Sequence, residues 1–191
     1  MRKDCKNMRL FLASFVDFIK IDPKNSFYKI EDYFGCVIKP VKKENIHITW
    51  KFIGEIEESY ISKIQTKINE IIDKSFKFQI EIKFQKIEIW PNTRYPRQIV
   101  LVGEDIDKKG SAFCRLLNKN LLKIGITEEQ KNFNPHITLA RFKKQEKIEK
   151  ISYLLEELNF ESVLLEFNKI DIVKSTLCQQ GSIYEIIKSF S

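Results

Sequence analysis

The residues best suited to chemistry are two histidines, His47 and His136, the only histidines in the chain. Each is followed two residues later by a threonine, Thr49 or Thr138. On a β-strand, residues two apart share one face and lie about 6.6 Å from each other. Each motif therefore presents an imidazole beside a hydroxyl. A single such motif is typical of a hydrogen-bonded structural histidine, but its duplication predicts an active site in which the two motifs face each other.

Paired imidazoles and hydroxyls suit phosphoryl chemistry. Opening a cyclic phosphodiester needs a base that takes a proton from water and an acid that protonates the departing sugar oxygen, and histidine can fill either role near neutral pH. Threonine hydroxyls can donate hydrogen bonds to the phosphate oxygens. A zinc site is a minor alternative, because neither motif has a neighbouring Cys, Asp or Glu at ligand spacing and the four cysteines include no CxxC pair. We therefore expect no metal and no cofactor.

The composition is that of a single globular domain with a basic surface. The 191 residues carry a net charge of +7, and 43% are hydrophobic and 31% charged, which excludes a disordered chain. The charge favours anionic partners, although dispersed Lys and Arg residues also fit an ordinary soluble surface. The start of the sequence is similar to a signal peptide, but Asp17 interrupts its apolar run. We expect a cytosolic monomer with no membrane association, in which residues 1–7 are either a disordered leader or precede an alternative start.

The hydrophobic pattern predicts strands that carry both motifs, alternating with helices. The predicted strands cover residues 9–15, 45–54, 76–90, 98–103, 134–142 and 160–174, with a bulge near Gln85 in the third and a loop over 90–96. The predicted helices cover residues 23–34, 58–75, 111–124 and 148–158. The second half thus repeats the order of the first.

Two sequence echoes support this duplication. NIHIT at 45–49 matches NPHIT at 134–138, and FQKIEI at 84–89 matches FNKIDI at 167–172. Chance similarity in a chain rich in Ile and Lys is the alternative. Duplication predicts an α+β fold in one domain over 1–191, with pseudo-symmetric lobes at about 8–90 and 98–191. Its two antiparallel sheets would carry helices on their outer faces and enclose a central groove.

The chain resembles the two-histidine (2H) phosphoesterases, and within them the bacterial and archaeal RNA 2′,3′-cyclic phosphodiesterases once described as 2′-5′ RNA ligases. The segments that carry the resemblance span nearly the whole chain: RLFLASF, NIHITWKFIGE, PRQIVLVG, FNPHITLARF and KSTLCQQGSIYEII. The resemblance implies hydrolysis of a 2′,3′-cyclic phosphate to a 2′-phosphate. It implies His47 as proton donor and His136 as proton acceptor, and it implies substrate binding by Thr49, Thr138 and Arg141. The partners would be RNA ends or nucleotides that carry the cyclic phosphate.

Strand parity raises questions about neighbouring residues. Strict alternation from His136 puts Arg141 on the opposite face, unless a bulge at Ala140 or its position at the strand end brings it round. Parity puts Lys51 on the face of His47, either at the groove or as a surface lysine at its margin. Trp50 stands where family members more often have an aliphatic residue, which affects only packing. Phe11 and Trp90 could stack on a base, but core packing is the expected role of aromatic residues in a chain with 15 Phe.

Three functions stay open at this point. The first is a metal-independent phosphodiesterase for terminal cyclic phosphates of RNA or nucleotides. The second keeps the fold but acts on another cyclic nucleotide phosphate. The third is a non-catalytic, basic RNA-binding module, which the intact histidines and threonines disfavour.

Overall fold

The computed structural model describes residues 7–22, 30, 32–75, 78–144, 160–178 and 181–191. Nine strands are present in this part: β1 (Asn7–Phe15), β2 (Ile38–Pro40), β3 (His47–Glu57), β4 (Ile80–Trp90), β5 (Gln98–Glu104), β6 (His136–Phe142), β7 (Val163–Phe167), β8 (Ile170–Cys178) and β9 (Gly181–Phe190). The helices that we label are α1 (Phe18–Ile21), α2 (Ile61–Ser75) and α3 (Lys109–Leu122). The predicted helix at 148–158 and most of that at 23–34 lie outside the described residues, as do residues 1–6.

The strands form two antiparallel groups that meet at one point. The strand order is β7-β4-β5-β6-β3-β1-β8-β9, and β2 also pairs with β6. Between β3 and β6, the only Cα pair in the described part of the chain is Ile48 with Ile137. Each group contains strands from both halves of the sequence, because β4 pairs with β5 and β7, while β8 pairs with β1 and β9. The two motif strands are therefore adjacent at the centre of the molecule.

The core lies between the sheet and the two long helices. α2 buries Ile64, Ile68 and Ile71, which is the helical spacing that predicted it. α3 buries its own apolar face, Phe113, Cys114, Leu117 and Leu121. Ile48 and Ile137 are fully buried on this side of the sheet. Their strand neighbours, the motif histidines and threonines, consequently face away from the helices. The α+β class, the antiparallel groups and the groove agree with the prediction.

One predicted strand needs correction, a strand near the C-terminus was missed, and a predicted bulge is present. The strand over 160–174 is wrong as a single element: Phe167 pairs with Ile80 at the edge of one group, whereas Ile170 pairs with Phe190 in the other, so the chain must leave the sheet between them. β9 was not predicted at all. The bulge near Gln85 is confirmed by a register shift between Phe84 and Lys86 in the pairing of β4 with β5.

Candidate active site

The motif side chains line one cavity of about 600 Å³ on the sheet face opposite the helices. It contains all five residues singled out from the sequence: His47, Thr49, His136, Thr138 and Arg141. The antiparallel Ile48–Ile137 pair directs His47 towards Thr138 and Thr49 towards His136. In a regular antiparallel pair, diagonal neighbours such as positions 47 and 136 lie about 7–8 Å apart. Two imidazoles in such an arrangement can flank a single phosphate.

Both histidines are oriented by the same backbone contact. His47 Nδ1 lies 2.6 Å from the Asn45 carbonyl oxygen, and His136 Nδ1 lies 2.9 Å from that of Asn134. A carbonyl oxygen can only accept, so Nδ1 carries the hydrogen in each ring and donates it. The other nitrogen, Nε2, is left for proton transfer. The repeated Asn-x-His spacing thus fixes the same tautomer twice.

Matching bulges set the rest of the cavity wall. In β3 the pairing with β1 skips Trp50 and Ile53, since Leu12 pairs with Lys51 and Ala13 with Thr49. In β6 the pairing with β5 skips Leu139, since Ile99 pairs with Ala140 and Val100 with Thr138. Trp50 and Leu139 each lie three residues after their histidine. A bulge inserts one residue and reverses the alternation beyond it, so the residue five positions after each histidine returns to the cavity.

The first consequence concerns Arg141, which does line the cavity. Its Nη1 donates to Gln98 Oε1 at 3.3 Å. The bulge lies at Leu139, adjacent to the Ala140 position considered from sequence. The residue at the corresponding position in the first motif is Phe52, which lines the cavity and is 54% exposed at its rim. Repeat alignment of HITWKF with HITLAR would have identified Phe52.

The second consequence concerns Lys51, for which the parity prediction is wrong. The bulge at Trp50 turns Lys51 into the core, where only 1% of the side chain is exposed. Its Nζ donates to Asn118 Oδ1 at 2.6 Å and to the Thr127 carbonyl at 3.0 Å, with Glu129 Oε2 at 3.9 Å. Burial lowers the pKa of Lys51, and the Glu129 carboxylate opposes that effect. Lys51 therefore anchors β3 to α3 and the following loop.

Trp50 also occupies the core. Its Nε1 donates to Ser14 Oγ at 2.8 Å, and its ring stacks on Phe133 at a centroid distance of 5.4 Å. The indole thus links β3 to β1 on the core side of the first motif.

Aromatic rings surround the two imidazoles differently. The His47 ring lies 5.2, 5.6 and 5.3 Å from the rings of Phe11, Phe15 and Tyr184. The His136 ring lies 4.6 Å from that of Trp90. Phe11 is buried and also lines the cavity, where it packs against the His47 ring. Tyr184 was missed from sequence, because it lies on β9; the glycine at 181 between apolar runs was the available hairpin signal.

The electrostatics of the cavity favour anions and disfavour protonated histidine. Burial lowers the pKa of His47 from 6.5 to about 4; the Asn45 carbonyl opposes this, and the charges of Arg141 and His136 add to it. Burial also lowers the pKa of His136, against the Asn134 carbonyl and with the Arg141 charge. Arg9 and Arg141 line the wall, and no carboxylate does among the described lining residues. Both imidazoles are therefore neutral at pH 7 when the cavity is empty.

Neither a cluster of metal ligands nor a membrane-spanning helix occurs among the described residues. Within the described ranges, no group of three or more His, Cys, Asp or Glu side chains is placed to hold a metal ion. Over the same residues, no helix has the length and apolarity needed to span a membrane.

Comparison with known proteins places the chain in a family. The family model described as LigT like phosphoesterase matches residues 25–100 and 103–184. An RNA 2′,3′-cyclic phosphodiesterase of Methanocaldococcus jannaschii is 33% identical over 96% of this chain and all of its own length. One from Aquifex aeolicus is 29% identical over 80% of each chain.

Solved structures share the fold. A protein from Thermus thermophilus superposes with a TM-score of 0.75 at 21% identity, over 96% of this chain and 97% of its own. E. coli LigT complexed with 3′-AMP gives a TM-score of 0.68 at 15% identity, over 97% and 98%. The chain belongs to the LigT-like family of 2H phosphoesterases.

Proposed function

We propose that the protein is a metal-independent RNA 2′,3′-cyclic phosphodiesterase that opens a terminal cyclic phosphate to a 2′-phosphate. The observation that carries the proposal is the convergence of His47 and His136 on one cationic cavity, each with Nδ1 held by a backbone carbonyl. Family membership and the activity named for the relatives in M. jannaschii and A. aeolicus support it.

The reaction needs two proton transfers. A water oxygen attacks phosphorus and the bond from phosphorus to the 3′ oxygen breaks. His136 Nε2 takes the proton from water, and His47 Nε2 gives a proton to the 3′ oxygen, which leaves a 3′-hydroxyl and a 2′-phosphomonoester. Thr49, Thr138 and Arg141 bind the non-bridging oxygens and stabilise their charge. Because both proton transfers come from imidazoles, we expect EDTA to leave activity intact.

The direction of proton transfer comes from the family resemblance. The lowered pKa of His47 in the free protein opposes that direction. His47 must be protonated to act as donor, yet it has the pKa of about 4 and three aromatic neighbours. Substrate binding counteracts this effect, because an anionic phosphate beside an imidazole raises the pKa of that imidazole. The proposed donor is therefore charged by the substrate that it serves.

Two alanine variants test this assignment. His47→Ala and His136→Ala should each lower the rate at least about 100-fold on a nucleoside 2′,3′-cyclic phosphate. A nitrophenyl phosphodiester has a good leaving group that needs little acid assistance, so the His47→Ala enzyme should recover much of its rate on it while the His136→Ala enzyme should not. Recovery in the His136 variant alone would show that the roles are reversed. Equal recovery would remove the assignment and leave the two-histidine mechanism.

The remaining expectations concern the state of the protein in the cell. We propose a cytosolic monomer, consistent with a basic chain that acts on RNA ends. Turnover of another cyclic nucleotide phosphate without turnover of RNA ends would favour the alternative in which the same fold acts on that other cyclic nucleotide phosphate. RNA binding without turnover would indicate the non-catalytic module.

A further inference from the structure

The repeated segment, FQKIEI at 84–89 and FNKIDI at 167–172, ends on equivalent strands in the two halves of the sheet. β4 is separated from the second motif strand, β6, by β5 alone, and β8 is separated from the first motif strand, β3, by β1 alone. The residue that follows the repeat is Trp90 on β4 and Val173 on β8. The two copies therefore place different side chains at corresponding positions, and only the first is aromatic.

The strand register supports this correspondence. Two rows of paired residues cross the sheet, Trp90, Gln98 and Arg141 in one half and Val173, Phe11 and Phe52 in the other. The last residue of each row is the fifth after its histidine. The rows thus match residue by residue, and Trp90 occupies beside the second motif the place that Val173 occupies beside the first.

Trp90 reaches across β5 to the second histidine. Neighbouring strands lie about 4.8 Å apart, so β4 and β6 are separated by roughly 10 Å, a gap that only a large side chain can close. The centroid of the Trp90 ring lies 4.6 Å from that of the His136 ring, with 48° between the ring planes. The indole is therefore in contact with the proposed base, although it lies two strands away.

The indole is itself bonded to a carboxylate. Trp90 Nε1 donates to Glu88 Oε2 at 2.8 Å, and Lys86 Nζ lies 2.5 Å from Glu88 Oε1. Hydrogen bonds from Lys86 and Trp90 lower the pKa of Glu88, so this group is ionised at neutral pH. A negative charge at the N–H fixes the orientation of the ring and polarises it, which makes the face of the ring more negative.

The other charges near His136 act in the opposite direction. In the described part of the chain, the charged and titratable side chains that line the cavity with His136 or contact Trp90 are His47, Arg9, Tyr184, Arg141 and Glu88, and Lys86 is bonded to Glu88. Burial lowers the pKa of His136, and the charge of Arg141 adds to that effect. The face of an indole instead favours a positively charged imidazole over a neutral one. Glu88 is the only acidic residue of this set, and it acts through that face.

We propose that Trp90 is a positioning residue for His136: its ring holds the imidazole and stabilises the imidazolium that forms during catalysis, while Glu88 orients and polarises the ring. This inference rests on the proposed function, in which His136 Nε2 takes the proton from water. The first motif has no equivalent arrangement among the described residues. Two of the three rings against His47 belong to Phe11 and Phe15, which have no N–H through which a carboxylate could act.

The experiment titrates both histidines by NMR between about pH 3 and 8. Because the chain has only His47 and His136, two Hε1 resonances report both pKa values, and the spectrum of His136→Ala assigns them. Trp90→Leu keeps apolar bulk beside His136 but removes the aromatic face. It should lower the pKa of His136 by about 0.5 to 1.5 pH units, with little change in that of His47. It should also lower kcat about 3- to 10-fold, because the rate follows the strength of the base only in part.

A second variant separates the carboxylate from the ring. Lys86→Gln/Glu88→Gln removes the ion pair without changing the net charge, and it should lower the pKa of His136 by a smaller amount than Trp90→Leu does. Glu81→Gln removes an exposed carboxylate from the same strand and should leave that pKa and kcat unchanged. An equal fall in Glu81→Gln would show that overall charge is responsible and would refute the role of Glu88.

Fluorinated tryptophan tests the ring in the full-length protein without a substitution. Fluorine withdraws electrons from the face of the ring with little change in its size, so the pKa of His136 should fall as more fluorine atoms are added. The other tryptophan, Trp50, stacks on Phe133 on the core side of the sheet, so a fall is assigned to Trp90.

The direction of the change in the pKa of His136 decides the inference. An unchanged value in both Trp90→Leu and the fluorinated protein would show that Trp90 only packs, and would overturn the proposal. A raised value in Trp90→Leu would show that the ring acts by excluding water, which also overturns it. Because the titration needs no turnover, the two proposals fail separately. A wild-type protein that opens no cyclic phosphate would remove the proposed function, whereas turnover with an unchanged pKa in the variants would remove only the role of Trp90.

Discussion

The pH dependence of activity should differ between the free enzyme and its substrate complex. Catalysis needs one imidazole protonated and the other neutral, which gives a bell-shaped profile. The pKa of His47 is lowered to about 4 and that of His136 is lowered from 6.5. The profile of kcat/KM, which reports the free enzyme, should therefore have one limb near pH 4 and both limbs below pH 6.5.

The magnitude follows from the shift of His47. The difference between 6.5 and about 4 corresponds to about 3 kcal/mol against protonation of His47 in the empty cavity. Above the upper pKa, kcat/KM should fall about tenfold per pH unit. The bound phosphate is anionic and raises both values. The profile of kcat should consequently be displaced to higher pH than that of kcat/KM.

Steady-state kinetics on a nucleoside 2′,3′-cyclic phosphate between about pH 3.5 and 8.5 measure both profiles. Arg141→Gln provides the control, because loss of its charge should move the alkaline limb of kcat/KM upwards. An alkaline limb of kcat/KM centred above pH 6.5 in the wild type would refute the argument that burial lowers both histidine pKa values. Coincident profiles of kcat and kcat/KM would refute the argument that the substrate charges the donor.

Three further predictions follow from single side chains. Arg141→Gln should lower kcat/KM about 10- to 100-fold through loss of phosphate stabilisation, whereas Arg94→Gln in the exposed loop after β4 should leave it unchanged in the same assay. Lys51→Met should lower the free energy of unfolding by about 1–3 kcal/mol, because two acceptors lose their donor in the core; an unchanged urea midpoint would contradict the anchoring role. The unfolded chain binds the His47 proton below pH 6.5, whereas the native chain binds it only near pH 4. The free energy of unfolding should therefore fall by about 3 kcal/mol as the pH drops from 6.5 to 4. In denaturant titrations, His47→Gln should abolish that part of the loss.

The site could be predicted from sequence because its signal is local. An i, i+2 spacing on a strand fixes a shared face whatever the tertiary structure, and the two histidines with their threonines needed no more than that. α2 and α3 were equally accessible, since their apolar faces repeat at helical spacing. The fold class followed from the order of these elements.

The predictions that failed concern features that are set by pairing between distant strands. The bulges at Trp50 and Leu139 appear only once β3 is aligned with β1 and β6 with β5, and they decide the direction of Lys51 and Arg141. The break between β7 and β8 is of the same kind, because apolar alternation continues across it while the partners change from β4 to β1 and β9. Composition and periodicity contain no information on such partners.

The duplicated motifs explain the shared geometry but not the division of labour. Each imidazole donates to a backbone carbonyl two residues before it, has a threonine two residues after it and is followed by a bulge at the third residue. Nothing in the repeat therefore distinguishes the proton donor from the proton acceptor. The differences lie outside it: among the described residues, three aromatic rings lie against His47 and one lies against His136. The fifth residue after each histidine is Phe52 in one motif and Arg141 in the other. An asymmetric reaction requires such differences, because a symmetric pair would hold the proton equally on either ring. The residues that assign the roles must therefore be sought in β1, β4 and β9 and at the fifth position after each histidine, not in the shared His-x-Thr pairs themselves.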